Sequence, residues 1–147
     1  MKTNLKFLAT FIAVTLISLS ANAQKRSITI KQLPAPAQSF LTTNFPNQAP
    51  AYIEEDKGMI STDYEVKLTG GTEIEFDGKG NWEEVDGNKT AIPTSVLPKT
   101  IATYLTANYK GQGVEKIELK KNGYKVELLN DVELEFDTNG KFLRIDD

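Results

Sequence analysis

Two stretches decide the fold. Tyr64-Glu65-Val66-Lys67-Leu68 returns as Tyr124-Lys125-Val126-Glu127-Leu128, and Glu73-Ile74-Glu75-Phe76-Asp77 returns as Glu133-Leu134-Glu135-Phe136-Asp137. In each, apolar and charged residues alternate with a period of two, the signature of a strand with one buried and one wet face. Glycine follows three residues after each aspartate, as Gly80 and Gly140. Gly70-Gly71, Asp77-Gly78-Lys79-Gly80 and Asn122-Gly123 are hairpin signals, so neighbouring strands are expected to run antiparallel.

Outward from these strands the repetition continues. Leu33-Pro34, Phe40-Leu41 and Asn44-Phe45 recur as Leu97-Pro98, Tyr104-Leu105 and Asn108-Tyr109. Leu33, Ala37, Phe40, Leu41 and Phe45 are spaced as one face of a helix, with prolines in its first turn and Pro46 beyond its end; Leu97, Ile101, Tyr104, Leu105 and Tyr109 repeat that face. Asn44 and Asn108 stand where a left-handed residue would stop each helix. One unit is therefore expected twice, over residues 30–87 and 93–147. Strands are expected at 51–55, 63–68, 72–76 and 81–86, and again at 114–119, 123–128, 132–136 and 141–146. The fold class is α+β: two tandem helix-plus-four-strand antiparallel units, with helices on one face of the sheet and the opposite face open.

The first 23 residues read differently. Lys2 and Lys6 precede an apolar run from Phe7 to Leu19, and Ala21-Asn22-Ala23 precedes Gln24. This is the three-part pattern of a cleaved secretory signal, with cleavage after Ala23 and a periplasmic or extracellular product. The run is too short to span a bilayer as a helix, and no membrane span is expected elsewhere. The segment carries two lysines and no acid, so the formal charge of −3 becomes −5 without it.

Acids outnumber Lys and Arg, 20 to 17, which argues against nucleic acid as a partner. Histidine and cysteine are absent. Their absence removes Ser-His-Asp and Cys-His nucleophiles, the usual zinc sites, haem ligation by His and iron–sulfur clusters, so no enzyme activity, cofactor or metal is assigned. Stability must come from packing without disulfides.

The pattern L-P-x5-F/Y-L-x2-N-F/Y, then Y-x-V-x-L, then E-I/L-E-F-D-x2-G resembles the bacterial secreted proteins grouped as PepSY-like or β-lactamase-inhibitor-protein-like domains. The resemblance covers nearly all of the chain after residue 23, in both copies. It implies a tandem α+β fold with a curved antiparallel sheet, whose concave face in the inhibitor protein grips an enzyme. That protein has disulfides and an aromatic gripping face, whereas this chain has no cysteine and a charged face.

Candidate binding residues follow from the strand alternation. Glu65, Lys67, Glu73 and Glu75 of the first unit and Lys125, Glu127, Glu133 and Glu135 of the second should line the open face, either as a recognition surface for a protein or peptide or as solvated cross-strand pairs. Trp82 and Val85 are three apart. A bulge that turns both inward makes Trp82 core, whereas a regular strand exposes one of them and could make Trp82 an interface anchor. Asp77-Gly78-Lys79-Gly80-Asn81 and Asp137-Thr138-Asn139-Gly140 share fragments of calcium loops without matching the full motif. The leading expectation is an exported, non-enzymatic binding module that engages or inhibits an envelope enzyme or peptidase; the alternative is an acidic, calcium-responsive periplasmic protein. Oligomeric state is left open.

Overall fold

A computed structural model describes residues 24–146. The signal reading over residues 1–23 lies outside the described residues. The elements are β1 (Gln24–Ser27), a 3-10 turn (Ile30–Gln32), α1 (Ala35–Asn44), β2 (Pro50–Lys57), β3 (Thr62–Leu68), β4 (Glu73–Phe76), β5 (Trp82–Asp86), a second 3-10 turn (Thr94–Val96), α2 (Lys99–Asn108), β6 (Val114–Lys120), β7 (Gly123–Leu128), β8 (Glu133–Phe136) and β9 (Phe142–Asp146). The class is α+β. All nine strands form one antiparallel sheet in sequence order, each bonded only to its neighbours in the chain. The sequence reading had eight strands. It lacked β1, a strand of four exposed polar residues with no alternation to reveal it.

The sheet does not break between the repeated segments. Glu84, Val85 and Asp86 of β5 pair with Glu118, Ile117 and Lys116 of β6. Matching hairpins flank this seam: Tyr64 opposes Phe76 as Tyr124 opposes Phe136, and Val66 opposes Ile74 as Val126 opposes Leu134.

Alternation sorts the strand residues. Val66, Leu68, Ile74, Phe76, Val85, Ile117, Val126, Leu128, Leu134 and Phe136 are buried in one cluster with Ala37 and Leu41 of α1 and Ile101 and Leu105 of α2. Fully burying side chains of this size is worth about 1.5–3 kcal/mol each before entropy is counted, so this layer is what holds helices to sheet. Both helices begin behind a proline, Pro34 or Pro98, whose missing N–H costs nothing at a helix start.

The helix ends depart from expectation. Asn44 and Asn108 are the last helical residues and do not turn left-handed; among the described residues the positive-φ ones outside glycine are Asn88, Lys89 and Asp131. Instead Asn44 Nδ2 donates to the Phe40 carbonyl at 3.0 Å and Asn108 Nδ2 to the Tyr104 carbonyl at 2.9 Å. Each side chain thus bonds back to the carbonyl four residues earlier, within the last turn of its own helix.

Candidate functional site

The charged positions of the sheet fall into rows, because residues directly opposite one another share a face. One row runs Glu54, Glu65, Glu75, Glu84, Glu118 across β2 to β6, each the direct partner of the next. At roughly 4.8 Å per strand this is an acidic line roughly 19 Å long. It continues as Lys125, Glu135 and Arg144 across β7 to β9, where the sign alternates. The neighbouring row, Tyr52, Lys67, Glu73, Asp86, Lys116, Glu127, Glu133, Asp146, sets its two lysines ahead of shorter acidic runs, Glu73–Asp86 and Glu127–Glu133–Asp146.

Like charges directly opposite each other are destabilising, so the five glutamates need an account. Cations reach part of the row: Lys25 meets Glu54 at 2.7 Å, Lys116 meets Glu84 at 2.6 Å, and Lys120 pairs with Glu118. Tyr52 Oη donates to Glu65 at 2.6 Å, and the carboxylate it binds pushes the phenol's pKa up to about 12. Glu75, at the centre, has no ion pair among the described residues. Its partial burial, then the charges of Glu84 and Glu65, raise its carboxyl above the ordinary value. Beside the row lies a concavity of about 210 Å³ lined by Glu54, Asp56, Asp63, Glu65, Glu75 and Glu83, with Lys25 its one lining cation. Asp56 Oδ1 is buried there without a hydrogen-bond partner.

Of the candidate residues, Glu65 and Glu75 stand in the acidic row, and Lys67 pairs with Glu73. Lys125 contacts Glu133 and, at 3.0 Å, Asp146; these two partners hold its ammonium above the ordinary lysine value. Glu135 meets Arg144 at 2.8 Å, and Glu127 stands directly opposite both Lys116 and Glu133. Trp82 is not brought together with these residues. A register shift between Glu75 and Phe76 sets Trp82 opposite Phe76 and Val85 opposite Ile74. This bulge turns both inward, and Trp82 packs half-buried against Phe40 at 6.4 Å and Tyr124 at 6.3 Å between ring centres. Trp82 thus stands with the core side of the sheet and not with the charged rows.

Glu54, Glu84 and Glu118 were missed as site residues. Their strands were recognised, but the row exists only once β5 is known to pair with β6 and the bulge is known to shift Glu84 into line. The Asp77 and Asp137 turns are occupied by their own backbone. Asp77 Oδ1 accepts from the N–H groups of Lys79 at 2.9 Å and Asn81 at 2.8 Å, and Asp137 Oδ1 accepts from Asn139 and Lys141, both at 2.9 Å. These are side-chain-capped turns. No group of three or more carboxylates converges on a metal-sized site among the described residues. No helix among them is long and apolar enough to cross a membrane.

The family described as "Putative beta-lactamase-inhibitor-like, PepSY-like" matches residues 19–70 and 62–144. A crystal structure of "a putative calcium-regulated periplasmic protein" from Bacteroides thetaiotaomicron is 38% identical, with a TM-score of 0.78, covering 84% of this chain and 97% of that one. Two periplasmic proteins from Bacteroides vulgatus, one of them of unknown function by its own description, are each 35% identical over 84% of this chain, with TM-scores of 0.78 and 0.77 and 98% and 100% of their own lengths covered. Comparison with curated proteins returns no match. With both segments of the family matched and relatives above a third identical along nearly their whole length, the chain belongs to the PepSY-like, β-lactamase-inhibitor-like family.

Proposed function

We propose that this protein is an exported binding module of the cell envelope whose charged sheet face takes a basic segment of a protein or peptide partner. The observation that carries this reading is the row Glu54, Glu65, Glu75, Glu84, Glu118, in which like charges are held opposite one another at a cost that an incoming cationic surface would relieve. The chain is two copies of one unit, residues 30–87 and 93–147, joined edge to edge, and the copies have diverged in charge. Glu65 and Glu84 of the first stand where Lys125 and Arg144 stand in the second. A partner therefore docks on the first unit's side of the face. In its finer form the proposal has an envelope enzyme or peptidase restrained by this contact, with no catalysis by the chain itself. Periplasmic relatives and the signal pattern of residues 1–23 support the location.

The test is a crosslinking pull-down from native envelope with the wild-type protein beside a Glu65→Lys/Glu75→Lys variant. Capture of a single partner by the wild type and its loss in the variant is the expected result. Capture that ignores the charge reversal would leave the acidic row as solvated surface.

Calcium response is a second reading, favoured by the description of the 38% identical relative as calcium-regulated. The Asp77 and Asp137 turns do not fit the ion, because their carboxylates already cap backbone N–H groups. Ligand binding to the native state must raise stability, so an unchanged melting temperature between millimolar calcium and chelator would remove this reading.

A further inference from the structure

The two ends of the sheet are finished differently. β1, at one end, is a short strand whose Lys25 and Arg26 pair with Glu54 and Glu55 of β2, charged residues of the kind that discourage another strand from adding. β9, at the other end, is bonded only to β8 among the described residues and leaves Leu143 and Ile145 55% and 51% exposed. The molecule itself shows what such an edge accepts. Val85 on β5 occupies the position that Ile145 occupies on β9, each opposite the branched residue of the preceding strand, Ile74 or Leu134. Val85 is 0% exposed because β6 pairs along Glu84, Val85 and Asp86. The equivalent edge on β9 is Arg144, Ile145 and Asp146.

We infer that β9 is a self-association edge, at which two copies of the chain pair β9 to β9 antiparallel about a two-fold axis through Ile145. The sequence of the edge is self-complementary in that register. Ile145 meets its counterpart on the helix side of the sheet, while Arg144 stands opposite Asp146 of the second copy and Asp146 opposite its Arg144, so opposite charges face each other twice. The contact spans the same three positions as the internal β5–β6 seam. A head-to-tail arrangement would have to use the β1 edge, which offers Lys25 and Arg26 and no apolar partner for Ile145. The two-fold pairing closes after two copies and joins both nine-stranded sheets into one, with the acidic rows on the same side.

Sedimentation of the purified protein between roughly 10 µM and roughly 1 mM, the range in which a contact this small should associate, tests the inference. A monomer–dimer equilibrium is expected. It should be lost in Ile145→Lys, lost in Arg144→Asp, and recovered in the double variant Arg144→Asp/Asp146→Arg, with circular dichroism melting showing each variant folded. The double variant loses the contact to Glu135 that Arg144→Asp loses and the contact of Asp146 to Lys125 besides, so recovery reports pairing between copies. Amide exchange should slow at 144–146 as concentration rises. A wild type that stays monomeric throughout, a dimer that survives Ile145→Lys, or a double variant as weak as Arg144→Asp would overturn the inference.

Discussion

Glu75 on β4 stands directly opposite Glu84 on β5, and of the two only Glu84 has a cation, Lys116 at 2.6 Å. Glu75 therefore carries the least compensated charge of the acidic row, with Glu65 on its other side. Replacing it with glutamine keeps the shape and removes the repulsion. Glu75→Gln should stabilise the protein by about 0.5 kcal/mol, the scale of a single cross-strand pair, as measured by urea unfolding. The same variant should weaken any capture of a basic partner, so stability and binding should move in opposite directions.

The pH dependence of stability follows from the same crowding. Burial and then neighbouring acids raise the carboxyls of Glu75 and Glu83 above 4.5, the ordinary value. A carboxyl whose pKa is raised on folding binds its proton more readily in the native state, so acidification through the window between the raised value and 4.5 stabilises the fold. Glu55, held low chiefly by its hydrogen bond from Arg26, acts the other way: its contribution is present above the ordinary value and lost as pH falls through its lowered one. Melting temperature should thus rise as pH drops from neutrality toward the ordinary carboxyl value of 4.5 and fall in stronger acid. In Glu75→Gln/Glu83→Gln the rise should flatten while the acid-side fall persists.

Tyr52 gives a spectroscopic handle on the row. Its phenol donates to Glu65, and deprotonation would set two anions against each other, which is why its pKa is raised to about 12. Ultraviolet titration should show Tyr52 among the late tyrosines, with Tyr64 and Tyr104 also raised, and Glu65→Gln should bring Tyr52 back toward its ordinary value of 10.0. A tyrosine set unchanged by Glu65→Gln would mean that the Tyr52–Glu65 bond is not populated in solution.

Gly80 closes the β4–β5 turn at φ +86°, and a Cβ there would lie 2.8 Å from Pro34 Cβ and 3.0 Å from the Ala37 nitrogen at the start of α1. Gly71, at φ +96°, has open space where its Cβ would go. Gly71→Ala should cost about 1 kcal/mol for the left-handed backbone alone. Gly80→Ala adds a clash that pushes the turn off the helix, and should cost roughly 2–3 kcal/mol by chemical denaturation.

How much of this was legible in the sequence depends on whether the signal was local. Val66 and Ile74, alternating with Glu65, Lys67, Glu73 and Glu75, announced their strands and their buried face, because a period of two has no other economical meaning. The helices were equally plain. β1 was not, since Gln24-Lys25-Arg26-Ser27 has no apolar residue and is held by Glu54 and Glu55 from a distant strand. Asn44 looked like a left-handed stop but stays helical and bonds back to the Phe40 carbonyl through its side chain, a choice between two uses of one residue that composition does not distinguish. Trp82 was read as either core or anchor, and the bulge that decides the matter is a matter of register with β4. The acidic row was invisible for the same reason. Its members come from five strands, and the partnership of Glu84 with Glu118 joins positions on either side of α2.

A sheet in which every strand bonds only to its neighbours in the chain has low contact order for its size. The hairpins from β2 to β5 and from β6 to β9 close over short turns, so each half can zip quickly and on its own. The exceptions are the stretch 28–49, which carries α1 between β1 and β2, and the longer stretch 87–113, which carries α2 and must loop back before β6 can meet β5. Loop closure there has the largest entropic cost in the sheet and is rewarded by its shortest run of paired residues. The β5–β6 seam should therefore form last and open first, with Trp82 against Tyr124 as the fluorescent witness to both.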